Sequence, residues 1–145
     1  MKLSTKGRYG LRAMVDIAVH AHDAPVSIKD ISRREEISER YLEQLMMPLK
    51  KTGLLASTRG AKGGYRLAKP AENITIGEIL RALEGDLAPV DCKIFMGEAC
   101  VVEEDCVMRF VWQRISEGIN QAVDGLLLSD LVNRVRDGGI EGCKL

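Results

Sequence analysis

Two short capped segments around a four-residue turn, followed at once by a glycine-rich hairpin, leave this chain few folds to adopt. Ser27 is a good N-cap with Asp30 three residues on, which predicts a short helix to about Arg34. Ser38 caps a further helix that runs to Lys51 and stops at Gly53. Between them lies Glu35-Glu-Ile-Ser38, and two helices joined this way form a helix-turn-helix. The strand-like pieces Leu54–Thr58 and Tyr65–Leu67 then flank the tip Arg59-Gly-Ala-Lys-Gly-Gly64. A hairpin in that position makes a winged helix.

The remaining segments extend this frame. Leu11, Met14, Val15, Ile17, Ala18 and Ala21 recur at helical spacing, which predicts an amphipathic helix over about Thr5–His22, ended by Asp23-Ala-Pro25. Pro70 and Asn73 mark a joint, and Thr75-Ile-Gly-Glu78 is a capping box opening a helix to about Glu84. Residues 85–105 have no apolar periodicity and hold two glycines, a proline and six carboxylates, so they read as a loop. From Cys106, Met108, Val111, Ile115, Ile119 and Val123 fall nearly every fourth position and predict a long helix. Ser129 and Asp130 start a last short helix with Leu131, Val132 and Val135. The fold class is mainly α with a small β-wing. The expected division is a winged helix-turn-helix over 1–84, a cysteine-bearing loop over 85–105, and a dimerisation helix with the C-terminal segment over 106–145.

A net charge of zero hides an asymmetry. Residues 1–66 hold 13 Lys/Arg against 7 Asp/Glu, a balance of +6, while residues 67–145 hold 8 against 14, a balance of −6. A basic front end suits a polyanion. No apolar core follows Lys2 and Lys6, and no 18-residue apolar run exists, so a cytoplasmic protein is expected. Catalysis is not expected. No Ser/His/Asp set appears, and the glycines at 60–64 lack the Gly-Lys-Ser/Thr ending of a phosphate loop.

The exposed N-terminal face of the Ser38–Lys51 helix offers Arg40, Tyr41, Glu43 and Gln44, while Leu42, Leu45, Met46 and Leu49 point to the core. Arg pairs with guanine, Gln with adenine, and Tyr meets phosphate or a thymine methyl. Glu43 is repelled by phosphates unless it accepts from cytosine N4, which makes it a candidate discriminator. Arg59 and Lys62, among glycines, form a thin basic tip suited to a minor groove. Lys2, Lys6, Arg8 and Arg12 are candidates for phosphate contacts.

Cys92, Cys100 and Cys106 crowd into fifteen residues. Their spacing is not that of a zinc ribbon; it is looser, as in loops that wrap an iron–sulfur cluster. A thiol redox switch, a zinc site and three unrelated cysteines are the other readings. Glu98, Glu103, Glu104 and Asp105 are the nearby candidates for a fourth ligand, and Cys143 stands apart in a glycine-rich tail. Trp112 reads as a packing residue.

Lys2-Leu-Ser-Thr-Lys-Gly-Arg-Tyr9, Ile37-Ser-Glu-Arg-Tyr-Leu-Glu-Gln-Leu45 and Arg59-Gly-Ala-Lys-Gly-Gly-Tyr65 resemble the signature segments of the Rrf family of winged-helix regulators. Three cysteines before a long helix resemble its IscR-type, the iron–sulfur-biogenesis regulators. The resemblance covers residues 1 to about 135. It implies a homodimer with crossed long helices, binding a pseudo-palindromic double-stranded DNA site, and one 2Fe–2S cluster per subunit. It further implies that positions matching Arg40, Tyr41, Glu43 and Gln44 read the major groove, with Arg59 in the minor groove. The chain departs from the enterobacterial pattern in two places. Arg109 stands where a His follows the third cysteine, and a guanidinium cannot ligate a metal. The first cysteine gap is seven residues rather than five. Nitric-oxide sensors of the same family take a ligand from the partner's first helix, at positions matching Arg8 and Arg12 here, which argues against that solution. A carboxylate among residues 98–105 is therefore the expected fourth ligand. Ordering of residues 90–106 by the metal would then shift the recognition helices or Glu43.

Overall fold

Hydroxyl side chains start each of the first four helices. In this computed structural model, which describes residues 3–90 and 106–138, Ser4 Oγ accepts from the Lys6 amide at 3.1 Å and opens α1 (Thr5–His20). Ser27 accepts from Asp30 at 3.1 Å and opens α2 (Ile28–Glu35). Ser38 accepts from Tyr41 at 3.3 Å and opens α3 (Glu39–Lys51). Thr75 opens α4 (Ile76–Glu84) through a complete capping box: Glu78 donates its amide to Thr75 Oγ1 at 3.1 Å, and its carboxylate accepts from the Thr75 amide at 2.8 Å. Each such cap is worth about 1 kcal/mol. α5 (Val107–Asp124) and α6 (Leu128–Arg136) complete the helices.

The α2–α3 turn is tight. Glu36 takes a left-handed conformation (φ 55°), and Ser32 Oγ donates to the Ile37 carbonyl at 2.6 Å. A carboxylate residue with positive φ is uncommon, and here it reverses the chain within three residues. β1 (Leu55–Thr58) and β2 (Gly64–Leu67) pair antiparallel from Leu55↔Leu67 to Thr58↔Gly64. The wing is tied to the body by Val26, which exchanges two backbone bonds of 2.8 Å with Tyr65. That approach requires Gly64, because a Cβ there would collide with the Val26 carbonyl.

The structure shortens two expected elements. α1 ends at His20 rather than His22, since the chain must turn to bring Val26 alongside Tyr65. β1 begins at Leu55 because the Leu54 amide is used on the Leu49 carbonyl, 3.0 Å away, closing the end of α3.

α1 is the central element. Ala13, Met14 and Ile17 are fully buried among Leu42, Leu45, Met46 and Leu49 of α3, Ile79, Leu80 and Leu83 of α4, and Leu128 of α6. The α5–α6 turn is stitched beside the start of α4: Ile76 donates to the Leu126 carbonyl and Leu128 to the Ile74 carbonyl, both at 2.9 Å. Arg81 adds a fork onto Asp124 (2.8 and 2.7 Å) and a bond to Asn120 (2.7 Å). The C-terminal half of α5 packs on the core through Ile119 and Val123. Its N-terminal half does not: Val107, Met108, Phe110, Val111 and Ile115 are exposed. Trp112 is half-buried. No helix among the described residues is long and apolar enough to cross a membrane.

Candidate nucleic-acid interface

Residues of α3 one turn apart share a face. The core face takes Leu42, Leu45, Met46 and Leu49, so Arg40, Glu43 and Gln44 project on the other side, all exposed. Tyr41 lies at the edge between the two. It is half-buried, with its ring edge-on to Tyr9 (centroids 6.1 Å apart, planes at 86°), which fixes its direction at the start of the helix.

Cations of the DNA-binding half differ in whether they have a partner. Arg12, Arg33, Arg34, Lys69 and Arg81 are each paired with a carboxylate. Among the described residues, Lys6, Arg8, Arg40, Arg59 and Lys62 are exposed and hold no ion pair. These five sit at the start of α1, on the open face of α3 and on the wing tip; Lys29, Lys50, Lys51, Arg66, Arg134 and Arg136 are also exposed without an ion pair. The expectation for Arg12 is corrected. Its Nε donates to Glu35 Oε2 at 2.8 Å, its Nη2 donates to the Glu35 carbonyl at 2.9 Å, and the guanidinium lies over Tyr9 at 5.6 Å. It closes the C-terminal end of α2, its charge already partnered by Glu35. Lys2 lies outside the described residues.

Two long-range clamps hold this surface. Asp16, 4% exposed, accepts a fork from Arg34 (2.7 and 2.8 Å), pinning α2 to α1 and holding the guanidinium above its ordinary pKa. Glu84 Oε1 accepts from Ser4 N (3.1 Å), Ser4 Oγ (2.6 Å) and Gly7 N (2.9 Å), so the last residue of α4 holds the beginning of α1. At the base of the wing, burial pushes the Tyr65 phenol up from its usual value, and the Glu43 carboxylate adds to the shift. The wing and the open face of α3 therefore adjoin.

Of the expected metal ligands, Cys106 is described. It is the N-cap residue of α5, half-buried, with a free thiol. Cys92, Cys100, Cys143, Glu98, Glu103, Glu104 and Asp105 lie outside the described residues. Among the described residues, no three His, Cys, Asp or Glu side chains converge on a metal position. Sequence reasoning passed over one residue of the open α3 face: Met47, 68% exposed one turn beyond Glu43 and Gln44. The i, i+3, i+4, i+7 spacing from Arg40 was the signal that could have found it.

The family described as "Rrf2: Iron-dependent Transcriptional regulator" matches residues 3–134. The HTH-type transcriptional regulator IscR of Erwinia tasmaniensis is 41% identical over 133 residues, covering 92% of this chain and 79% of that protein. The solved structure of CymR, the global cysteine regulator of B. subtilis, superposes with a TM-score of 0.77 at 40% identity, over 92% of this chain and 97% of that one. IscR of T. potens superposes at 0.76 and 38% identity, over 98% and 93%. With a winged helix-turn-helix whose unpaired cations and open α3 face are directed outward, and with relatives that are regulators rather than enzymes, this chain belongs to the Rrf2 family of DNA-binding transcription regulators.

Proposed function

We propose that this regulator acts as a homodimer, senses iron–sulfur status through Cys92, Cys100 and Cys106, and controls iron–sulfur assembly genes. The observation that carries the reading is the position of Cys106. It begins the helix whose next two turns expose Val107, Met108, Phe110, Val111 and Ile115, so whatever the cysteines hold sits beside the surface where a second copy packs. An apolar stripe of this length on a small domain calls for a partner, and two-fold symmetry then presents two recognition helices to a pseudo-palindromic site.

The donor set fits iron. Three thiolates are soft ligands, and the one described here is half-buried and unbridged. Arg109, in the first turn of α5, supplies no ligand. The cluster, of the 2Fe–2S type with one per subunit, would bring redox-active iron to the loop ahead of α5. A carboxylate among Glu98, Glu103, Glu104 and Asp105 remains the proposed fourth donor. Lys6, Arg40, Tyr41, Glu43, Gln44, Arg59 and Lys62 are the proposed DNA-contacting residues, with Arg59 in the minor groove.

A second reading has support of its own. The likeness to a global cysteine regulator is close to that to IscR, so the same cysteines would serve a thiol-based regulator of cysteine metabolism with no metal. Anaerobic purification separates the two. The cluster reading expects a coloured protein with iron and acid-labile sulfide in equal amounts, bleached by Cys92→Ala, Cys100→Ala or Cys106→Ala and not by Cys143→Ala. A colourless protein without iron, whose DNA affinity changes on thiol oxidation, establishes the second reading instead.

A further inference from the structure

Met47 is an anomaly of the DNA-binding half. Between residues 3 and 90 the exposed large hydrophobics are Leu3 at 38% and Met47 at 68%. Scattered apolar side chains on a surface need no explanation, but the position of this one does. It shares a helical face with Arg40, Glu43, Gln44 and Lys51, all exposed, directly opposite the buried Leu42, Leu45, Met46 and Leu49. Nothing among the described residues covers it. A charged and amide-bearing face thus has an apolar residue at its centre.

We propose that Met47 is a specificity-determining residue that reads the 5-methyl group of a thymine beside the base met by Gln44. The inference rests on the reading that α3 enters the major groove. There, the apolar group on a base edge is the thymine C5-methyl. A recognition helix meets bases through its N-terminal turns first, and a residue one turn further along reaches a neighbouring base pair. Methionine suits that reach: it is unbranched and polarizable and adapts its rotamers to a small apolar target. Because it carries no charge, its contact adds sequence preference without adding to the salt dependence that phosphate contacts bring. A 5-methylcytosine presents the same methyl group and would be accepted at the same position.

Sites are first selected from a random duplex pool with the full-length protein. Each thymine of a selected site is then replaced singly by deoxyuridine, which removes one methyl and nothing else. One thymine per half-site should be sensitive, with affinity falling about fourfold, the worth of one buried methyl. Met47→Ala, which alters both protomers, should lose that factor at each half-site, about sixteenfold in all on the thymine duplex, and become indifferent to uracil at that position. Its slope of affinity against salt should be unchanged, and its thermal stability should hold, since alanine is the better helix former at an exposed site. Met47→Leu should recover part of the methyl dependence. Uracil tolerated everywhere by the unaltered protein, or a uracil penalty that persists in Met47→Ala, overturns the proposal. If selection enriches a sequence that depends on Gln44, only the Met47 assignment falls with such a result. If Gln44→Ala and Arg40→Ala leave sequence selection intact, the α3 reading falls and takes this proposal with it.

Discussion

Breaking the Asp16–Arg34 pair from its two ends should not cost the same. The Asp16 side chain is 2% exposed and the Arg34 side chain 29%. Arg34→Ala strands a carboxylate in the interior with His20 as its remaining neighbour, Nδ1 lying 3.3 Å from Oδ1 on a ring that is itself partly solvated. Removing one partner of a buried pair in this way costs ~3–5 kcal/mol. Asp16→Ala leaves a guanidinium whose chain already reaches water and which can extend further outward. The loss is then that of a charged hydrogen-bonded partner, ~1–3 kcal/mol. The double variant keeps no buried charge and should be more stable than Arg34→Ala alone. The assay is urea unfolding at neutral pH and fixed protomer concentration, since a dimer's stability depends on concentration. If the two single variants cost the same within ~0.5 kcal/mol, or the double variant costs their sum, the buried-charge reasoning is refuted.

Glu84→Ala should cost about 1–3 kcal/mol, because three donors at the start of α1 lose their acceptor, and faster amide exchange at Gly7 should report it. Ile115→Lys places a charge in the exposed α5 stripe; sedimentation should show monomers and DNA affinity should collapse, whereas an unchanged dimer would remove α5 from the interface. The Glu78 carboxyl is held below its ordinary value of 4.5, chiefly by Lys69 and then by Thr75. Its stabilisation is therefore present above pH ~4.5 and is lost as pH falls through the lower folded value, so Glu78→Gln should flatten the acid limb of a stability–pH curve. In DNA titrations Arg59→Ala should weaken binding and reduce the salt slope by about one per subunit, so by about two for the dimer. Glu43→Ala should instead tighten binding to poor sites, and uniform weakening across operator variants would show that Glu43 does not set site choice.

Short-range rules made much of this protein legible before any coordinates. Ser27, Ser38 and Thr75 start helices where capping chemistry predicts, because an N-cap satisfies donors within three residues of itself. The 3.6-residue period assigned Leu42, Leu45, Met46 and Leu49 to the core and left Arg40, Glu43 and Gln44 outside, and the glycines marked the hairpin. What only the tertiary structure decided is what depends on partners distant in the chain. Arg8 and Arg12 look alike in sequence, yet Arg12 meets Glu35, 23 residues on, and leaves the set of free cations. Glu84 reaches Ser4 across 80 residues, and Leu128 enters the same core as Met14. Met47 and Met46 are neighbours of one type, one 68% exposed and one 1%, because packing against α1 covers a single face of α3. Local propensity sets where helices begin; which charges are neutralised and which apolar side chains stay uncovered is set by how those helices meet.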